Sequence, residues 1–72
     1  MTRVPVISTN LLSVGWQDNV LEIEFKRKHG VVYQYLGVNK RVYEDLLRAP
    51  SVGLYFEQCV RGRYPFKIGT YG

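Results

Sequence analysis

The 72-residue chain has one cysteine, one histidine, one methionine and one tryptophan. A lone thiol, Cys59, cannot close an internal disulfide or build a cysteine zinc site, which points to a reducing, cytoplasmic setting. The only imidazole, His29, sits thirty residues before Cys59 and leaves little material for a Cys–His catalytic pair. No apolar run approaches the roughly 20 residues needed to span a bilayer, so neither a membrane helix nor a signal segment is expected. Glycine-rich phosphate loops and metal-ligand spacings are absent as well, so the sequence predicts no catalytic residues, no metal and no cofactor. Acidic residues number six against ten Lys and Arg. That balance makes an anionic partner the natural one to test.

What is present is apolar and aromatic. Hydrophobic residues make up 46% and aromatic residues 14%, with six tyrosines, which is the composition of a folded domain rather than a disordered chain. At this length the chain forms a single domain, 1–72, and buries only about 60% of its unfolded surface. Most large apolar side chains are therefore needed for the core. The core is expected at about residues 6–66, with 67–72 as a tail that either frays or adds a short strand.

Residues 1–10 are interrupted by Pro5 and read as an arm or an edge strand. Leu12, Val14 and Trp16 alternate with Ser13 and Gly15, then Gln17-Asp18-Asn19 supplies a turn. Leu21, Ile23 and Phe25 alternate with Glu22, Glu24 and Lys26, giving a hairpin with one wet face. Glu22 and Glu24 share that face, as paired acids would, but a solvated strand has the same spacing and is the preferred reading. Val31–Leu36 is the third strand; Tyr33 and Tyr35 share one of its faces, and periodicity leaves open which face meets the core.

Asn39 can cap a helix over 40–48 with Val42, Tyr43, Leu46 and Leu47 on one stripe, limited by Pro50. The strongest local signal lies in Ala49–Pro65. Ser51 is placed to cap a helix, and Val52, Tyr55, Phe56, Cys59 and Val60 recur at helical spacing. Gly62 and Pro65 then end it. Gly53, just inside the start, allows a close approach, most simply by an aromatic ring. The expected fold is α+β, a three-stranded antiparallel β-meander followed by two helices packed on one face (β-β-β-α-α).

Two basic clusters stand out. Lys26-Arg27-Lys28-His29 forms a turn that can neutralise phosphates, or can simply be a solubilising hairpin tip. Arg61, Arg63 and Lys67 interleave with Tyr64 and Phe66, a mixture that suits unpaired bases as well as a helix end closing the core. Tyr33 and Tyr35 would serve either as a stacking platform or as packing beneath the helices.

Taken in order, Leu-Ser-Val-Gly-Trp (12–16), Leu-Glu-Ile-Glu-Phe (21–25), Tyr-Gln-Tyr (33–35), Val-Tyr-Glu-Asp-Leu-Leu-Arg-Ala (42–49), Ser-Val-Gly-Leu-Tyr-Phe (51–56) and Val-Arg-Gly-Arg-Tyr-Pro (60–65) resemble the KTSC domain. That domain is named from the C-terminus of some lysyl-tRNA synthetases and also occurs as a stand-alone small protein. Trp16, where a tyrosine is usual, and Asn39, where a proline often opens the first helix, depart from its pattern. The synthetase context implies RNA. The expected function is a non-enzymatic module binding RNA or single-stranded nucleic acid through Lys26, Arg27, Lys28, Arg61 and Arg63, with Tyr33 and Tyr35 for stacking. The alternative is a protein-interaction module or a phage or accessory factor with no nucleic-acid binding, in either case as a monomer or a homodimer.

Overall fold

The computed structural model describes residues 2–69 in full and the backbone of Thr70. The central hairpin forms as its alternation predicts. Strands Leu11–Gln17 (β2) and Val20–Phe25 (β3) are joined at Asp18-Asn19, both with positive φ, the geometry that suits a two-residue hairpin turn to the twist of its strands. Val31–Leu36 (β4) continues the meander. Two further strands lie at the edges: Arg3–Pro5 (β1) beside β2 and Phe66–Thr70 (β5) beside β4. The result is one five-stranded antiparallel sheet in the order β1-β2-β3-β4-β5, so the three-stranded expectation is corrected to five. Lys67–Thr70, read as tail, belongs to β5; the rest of that tail, Tyr71 and Gly72, lies outside the described residues.

Between β4 and β5 the chain forms helices Lys40–Arg48 (α1) and Val52–Cys59 (α2). Each begins at its expected cap. The Asn39 side chain accepts from the Val42 amide at 3.1 Å and the Ser51 hydroxyl from the Leu54 amide at 3.2 Å. Gly62 has φ +79°, the left-handed conformation that lets the chain leave α2 and turn back toward the sheet.

Both helices cover one face. Val14, Leu21, Ile23 and Tyr35 point up from the strands to meet Leu46, Val52, Phe56 and Val60. The open question about β4 is thereby settled: Tyr33 and Tyr35 lie on the helix side, paired with Ile23 and Leu21. Two details differ from the expected pattern. A register irregularity between Leu11 and Ser13 turns Leu11, not Leu12, fully into the core. Leu47, at the end of the α1 stripe, remains 41% exposed, because only the Leu46 side of this short helix reaches the sheet. Gly53 faces the Ser8 hydroxyl, not an aromatic ring; a Cβ there would stand 3.1 Å from it.

The opposite face is open to solvent but is not simply wet. Glu22 and Glu24, expected on a solvated strand, are both buried. The reason is Arg3, which crosses from β1 and donates to Glu22 Oε1 at 3.0 Å and, through Nε, to Ser13 Oγ at 3.1 Å. Its second terminal nitrogen lies 3.8 Å from Glu24. Gln34 donates to the other Glu22 oxygen at 2.7 Å, and Ser13 donates to Glu24. Gly15 makes the crossing possible: a Cβ there would stand 2.8 Å from both Arg3 Cγ and the Thr2 carbonyl.

Candidate functional site

The β3–β4 turn is tied at several points. The Lys26 amide donates to the Asn10 carbonyl at 2.9 Å, the Lys28 amide to the Phe25 carbonyl at 3.1 Å and the Val31 amide to the Lys28 carbonyl at 3.1 Å. Beneath it, the Gly30 amide donates to Glu24 Oε2 at 3.0 Å. That backbone hydrogen bond, helped by Ser13, Arg3 and His29 against the opposing effect of burial, holds the Glu24 carboxyl below its usual range. The basic turn is thus anchored on the network of the open face while Arg27 and Lys28 reach round to the helix side.

There a groove of about 740 Å³ opens between this turn and the segment that leaves α2. Its volume falls in the range usual for ligand sites. Arg27 and Lys28 form one wall; Arg61, Gly62, Arg63 and Tyr64 form the other, with Glu57 and Asn10 also at the lining. The floor is aromatic. Phe25, Tyr33, Phe66, Tyr35 and Phe56 make a closed circuit of ring contacts, with successive centroids 5.1, 5.5, 5.3, 5.4 and 5.5 Å apart. The register requires this arrangement, because Tyr35 pairs with Phe66 on β5 and Tyr33 with Ile68.

The five rings differ in access. Phe56 and Tyr35 are buried, Phe25 and Tyr33 are half-buried, and Phe66 is 51% exposed. Burial pushes the Tyr35 hydroxyl above its ordinary range, so it remains a neutral phenol at physiological pH. Lys28 Nζ donates to the Tyr33 hydroxyl at 3.1 Å and stands 5.7 Å from that ring's centroid. Arg61 is held by both carboxylate oxygens of Glu57 at 3.1 Å, and Arg63 Nε donates to the Gln58 carbonyl at 3.0 Å.

Most of the residues expected at a site are therefore brought together. Arg27, Lys28, Tyr33, Tyr35, Arg61 and Arg63 all line the groove, although Tyr35 is too deeply buried to present a stacking face. Lys26 is exposed but lies outside the lining. Lys67 departs from its cluster: on β5 it pairs with Gln34 and joins Glu22 and Asp18 around a shallow cleft on the open face. Sequence reading missed Phe25, Phe56, Glu57 and Asn10, and it left Phe66 between contacting bases and closing the core. A cross-strand register was the missing signal. Among the described residues, no cluster of three or more His, Cys, Asp or Glu side chains could hold a metal ion, and no helix is long and apolar enough to cross a membrane.

The family model for the KTSC domain matches residues 7–64. The chain belongs to the KTSC domain family. It is 35% identical over 66 residues to an uncharacterized protein of Stutzerimonas stutzeri (strain A1501), a match covering 89% of this chain and 90% of that one. The crystal structure of a KTSC domain protein from Yersinia pestis superposes with a TM-score of 0.83 at 36% identity, covering 99% of this chain and 97% of the other. The five-stranded KTSC sheet with its two-helix cover and the groove at the β4–β5 edge are the framework for any function assigned to this chain.

Proposed function

We propose that this KTSC domain is a small non-enzymatic module that binds RNA or single-stranded nucleic acid in the cytoplasm, as a monomer or a homodimer. One observation carries the reading: two cationic clusters more than thirty residues apart in the chain line one groove together with a circuit of aromatic rings. A ligand that is anionic along its length and flat in its side groups complements both features. Arg27, Lys28, Arg61 and Arg63 neutralise phosphates, while the open rings contact bases.

The test is a fluorescence-anisotropy titration with labelled single-stranded RNA, duplex RNA and tRNA at several salt concentrations. Four phosphate contacts would give a slope of roughly −3 in log K against log salt for a single strand. Lys28→Ala and Arg63→Ala should each weaken binding and flatten that slope. No binding of any nucleic acid at low salt would sink the reading. A second reading, docking of a protein partner, is favoured by Phe66 and Ile68, 51% and 56% exposed on the edge strand. A pull-down that recovers a partner lost on Ile68→Lys, with no RNA binding, would support it.

A further inference from the structure

We infer that Phe66 is the platform on which one unpaired base stacks, so that the groove takes a nucleotide with a free base face rather than a paired duplex. The inference rests on the nucleic-acid reading above and narrows it. Of the two roles that sequence spacing leaves open for Tyr33 and Tyr35, stacking or packing, they then take the second. They are the buttress and not the contact surface.

Exposure is the first reason. Of the five rings in the circuit, Phe66 alone is more than half exposed. Leaving half of a phenylalanine in water forgoes part of the burial energy that so small a domain depends on. Support is the second. The Phe66 ring lies against Tyr33 at 5.5 Å and 37°, and against Tyr35 at 5.3 Å and 41°. Held from below by two rings that are themselves packed against Phe25 and Phe56, it has little rotamer freedom left to lose on binding.

The charges around the ring are the third reason, and they favour a nucleotide over an apolar protein segment. Lys28 uses one of its three protons on the Tyr33 hydroxyl. Arg63 uses Nε on the Gln58 carbonyl, and among the described residues no hydrogen bond engages its terminal nitrogens. Both cations line the same groove as Phe66. A base on Phe66 would bring its own phosphate to these donors. In a duplex, base faces are covered by their neighbours, so this platform is reachable only by an unpaired nucleotide. That nucleotide can belong to a strand or be a free nucleoside phosphate.

The experiment compares wild type, Phe66→Leu and Phe66→Trp, each verified as folded by circular dichroism and thermal melting. The ligands are an eight-nucleotide oligo(A) RNA, the same length carrying abasic sites, a duplex, and AMP. Wild type should prefer the single strand over the abasic strand and the duplex. Phe66→Leu, which keeps apolar bulk but loses the π face, should bind the strand about tenfold more weakly. Its salt slope should be unchanged, because the phosphate contacts remain. Phe66→Trp should restore binding. AMP binding that is likewise lost in Phe66→Leu would identify free nucleotides as ligands, whereas strand binding without AMP binding would assign the site to polymers.

Equal affinity for abasic and ordinary strands, or a Phe66→Leu protein that binds as wild type does, would overturn the stacking role while leaving a phosphate-binding module intact. The abasic comparison needs only the wild-type protein, so it decides the matter even if a variant misfolds. Absence of binding to every ligand would overturn both this inference and the reading beneath it.

Discussion

Gly15→Ala is the perturbation that most directly tests how the open face is built. The added Cβ would lie 2.8 Å from the Thr2 carbonyl and from Arg3 Cγ, and 3.2 Å from Arg3 Cα. A flexible side-chain tip could yield, but two of these three atoms are backbone. Strand β1 must therefore lift. It is only three residues long, so it yields before β2 does. Lifting it pulls Arg3 away from Ser13 and Glu22, bonds of 3.1 and 3.0 Å. Forcing a methyl group into a packed contact costs about 1–3 kcal/mol, and losing one or two hydrogen bonds that water can partly replace falls within the same range. We expect a loss of about 2 kcal/mol, which for a domain of this size lowers the melting temperature by roughly 8–16 °C.

Gly69→Ala is the internal control. Gly69 lies on the same open face, opposite Val32, and a Cβ there meets nothing within 4 Å. It should leave the melting temperature unchanged or raise it slightly, since glycine in a strand is itself unfavourable. The pH dependence supplies a second check. The folded state holds the Glu24 carboxyl below its ordinary value of 4.5, chiefly through the Gly30 amide and less through Ser13 and Arg3. Its stabilising contribution is therefore complete above that value and disappears as pH falls through the lower folded value. Part of it belongs to Arg3, so the gap between wild type and Gly15→Ala should be constant above that value and narrow as pH falls below it, through the lower folded value. Melting of Gly15→Ala within about 2 °C of wild type at neutral pH would refute the close approach of β1. A large gap that persists unchanged in acid would show that the collision, and not the lost arginine clamp, is responsible.

Two further outcomes test the groove and the core. Glu57→Gln frees Arg61 from a carboxylate 3.1 Å away and adds one unit of positive charge to the groove. The pair is exposed and one helical turn apart, so about 0.3–0.5 kcal/mol is at stake, and RNA affinity at low salt should rise about twofold. An unchanged or weaker affinity would count against Arg61 facing the ligand. Trp16→Phe removes the indole N–H that donates to the Val38 carbonyl at 2.7 Å, tying β2 to the segment that leads into α1. We expect a cost of about 1–2 kcal/mol, seen as a lower urea midpoint with an unchanged slope; an unaltered midpoint would mean that water satisfies the Val38 carbonyl fully.

The parts of this fold that are legible in sequence are those whose causes are local. Asn39 and Ser51 each cap an amide three residues ahead, and Gly62 turns left within its own backbone, so both helices can be read from a few adjacent residues. The edge strands are different. β1 has three residues, one of them a proline, too short for a period to show, and β5 is defined by its pairing with Val31–Tyr35, about 35 residues earlier. Glu22 and Glu24 give the pattern of a wet face, and that face is indeed the one without helices. Their burial depends on an arginine 19 residues upstream that no local pattern announces. The same holds for the groove. Its cations and two of its tyrosines are visible as clusters, but their convergence and the prominence of Phe66 follow from the Tyr35–Phe66 register alone.

The two faces of the sheet are nevertheless not independent. Glu24 takes part in the arginine network on one side while its other oxygen accepts from Gly30, at the base of the turn that carries Arg27 and Lys28 to the other. A carboxylate buried on the helix-free face thereby anchors the cationic wall of the groove. This resolves why a domain with so little core would bury two acids at all: desolvating them is costly, and the cost is offset by the bonds to Arg3, Ser13, Gln34 and the turn. The floor is organised in the same way, because four rings give up their own surface to hold a fifth, Phe66, exposed within the groove. Rigidity in a chain of 72 residues is a scarce resource, and both networks concentrate it on the turn and the ring that face the same cavity.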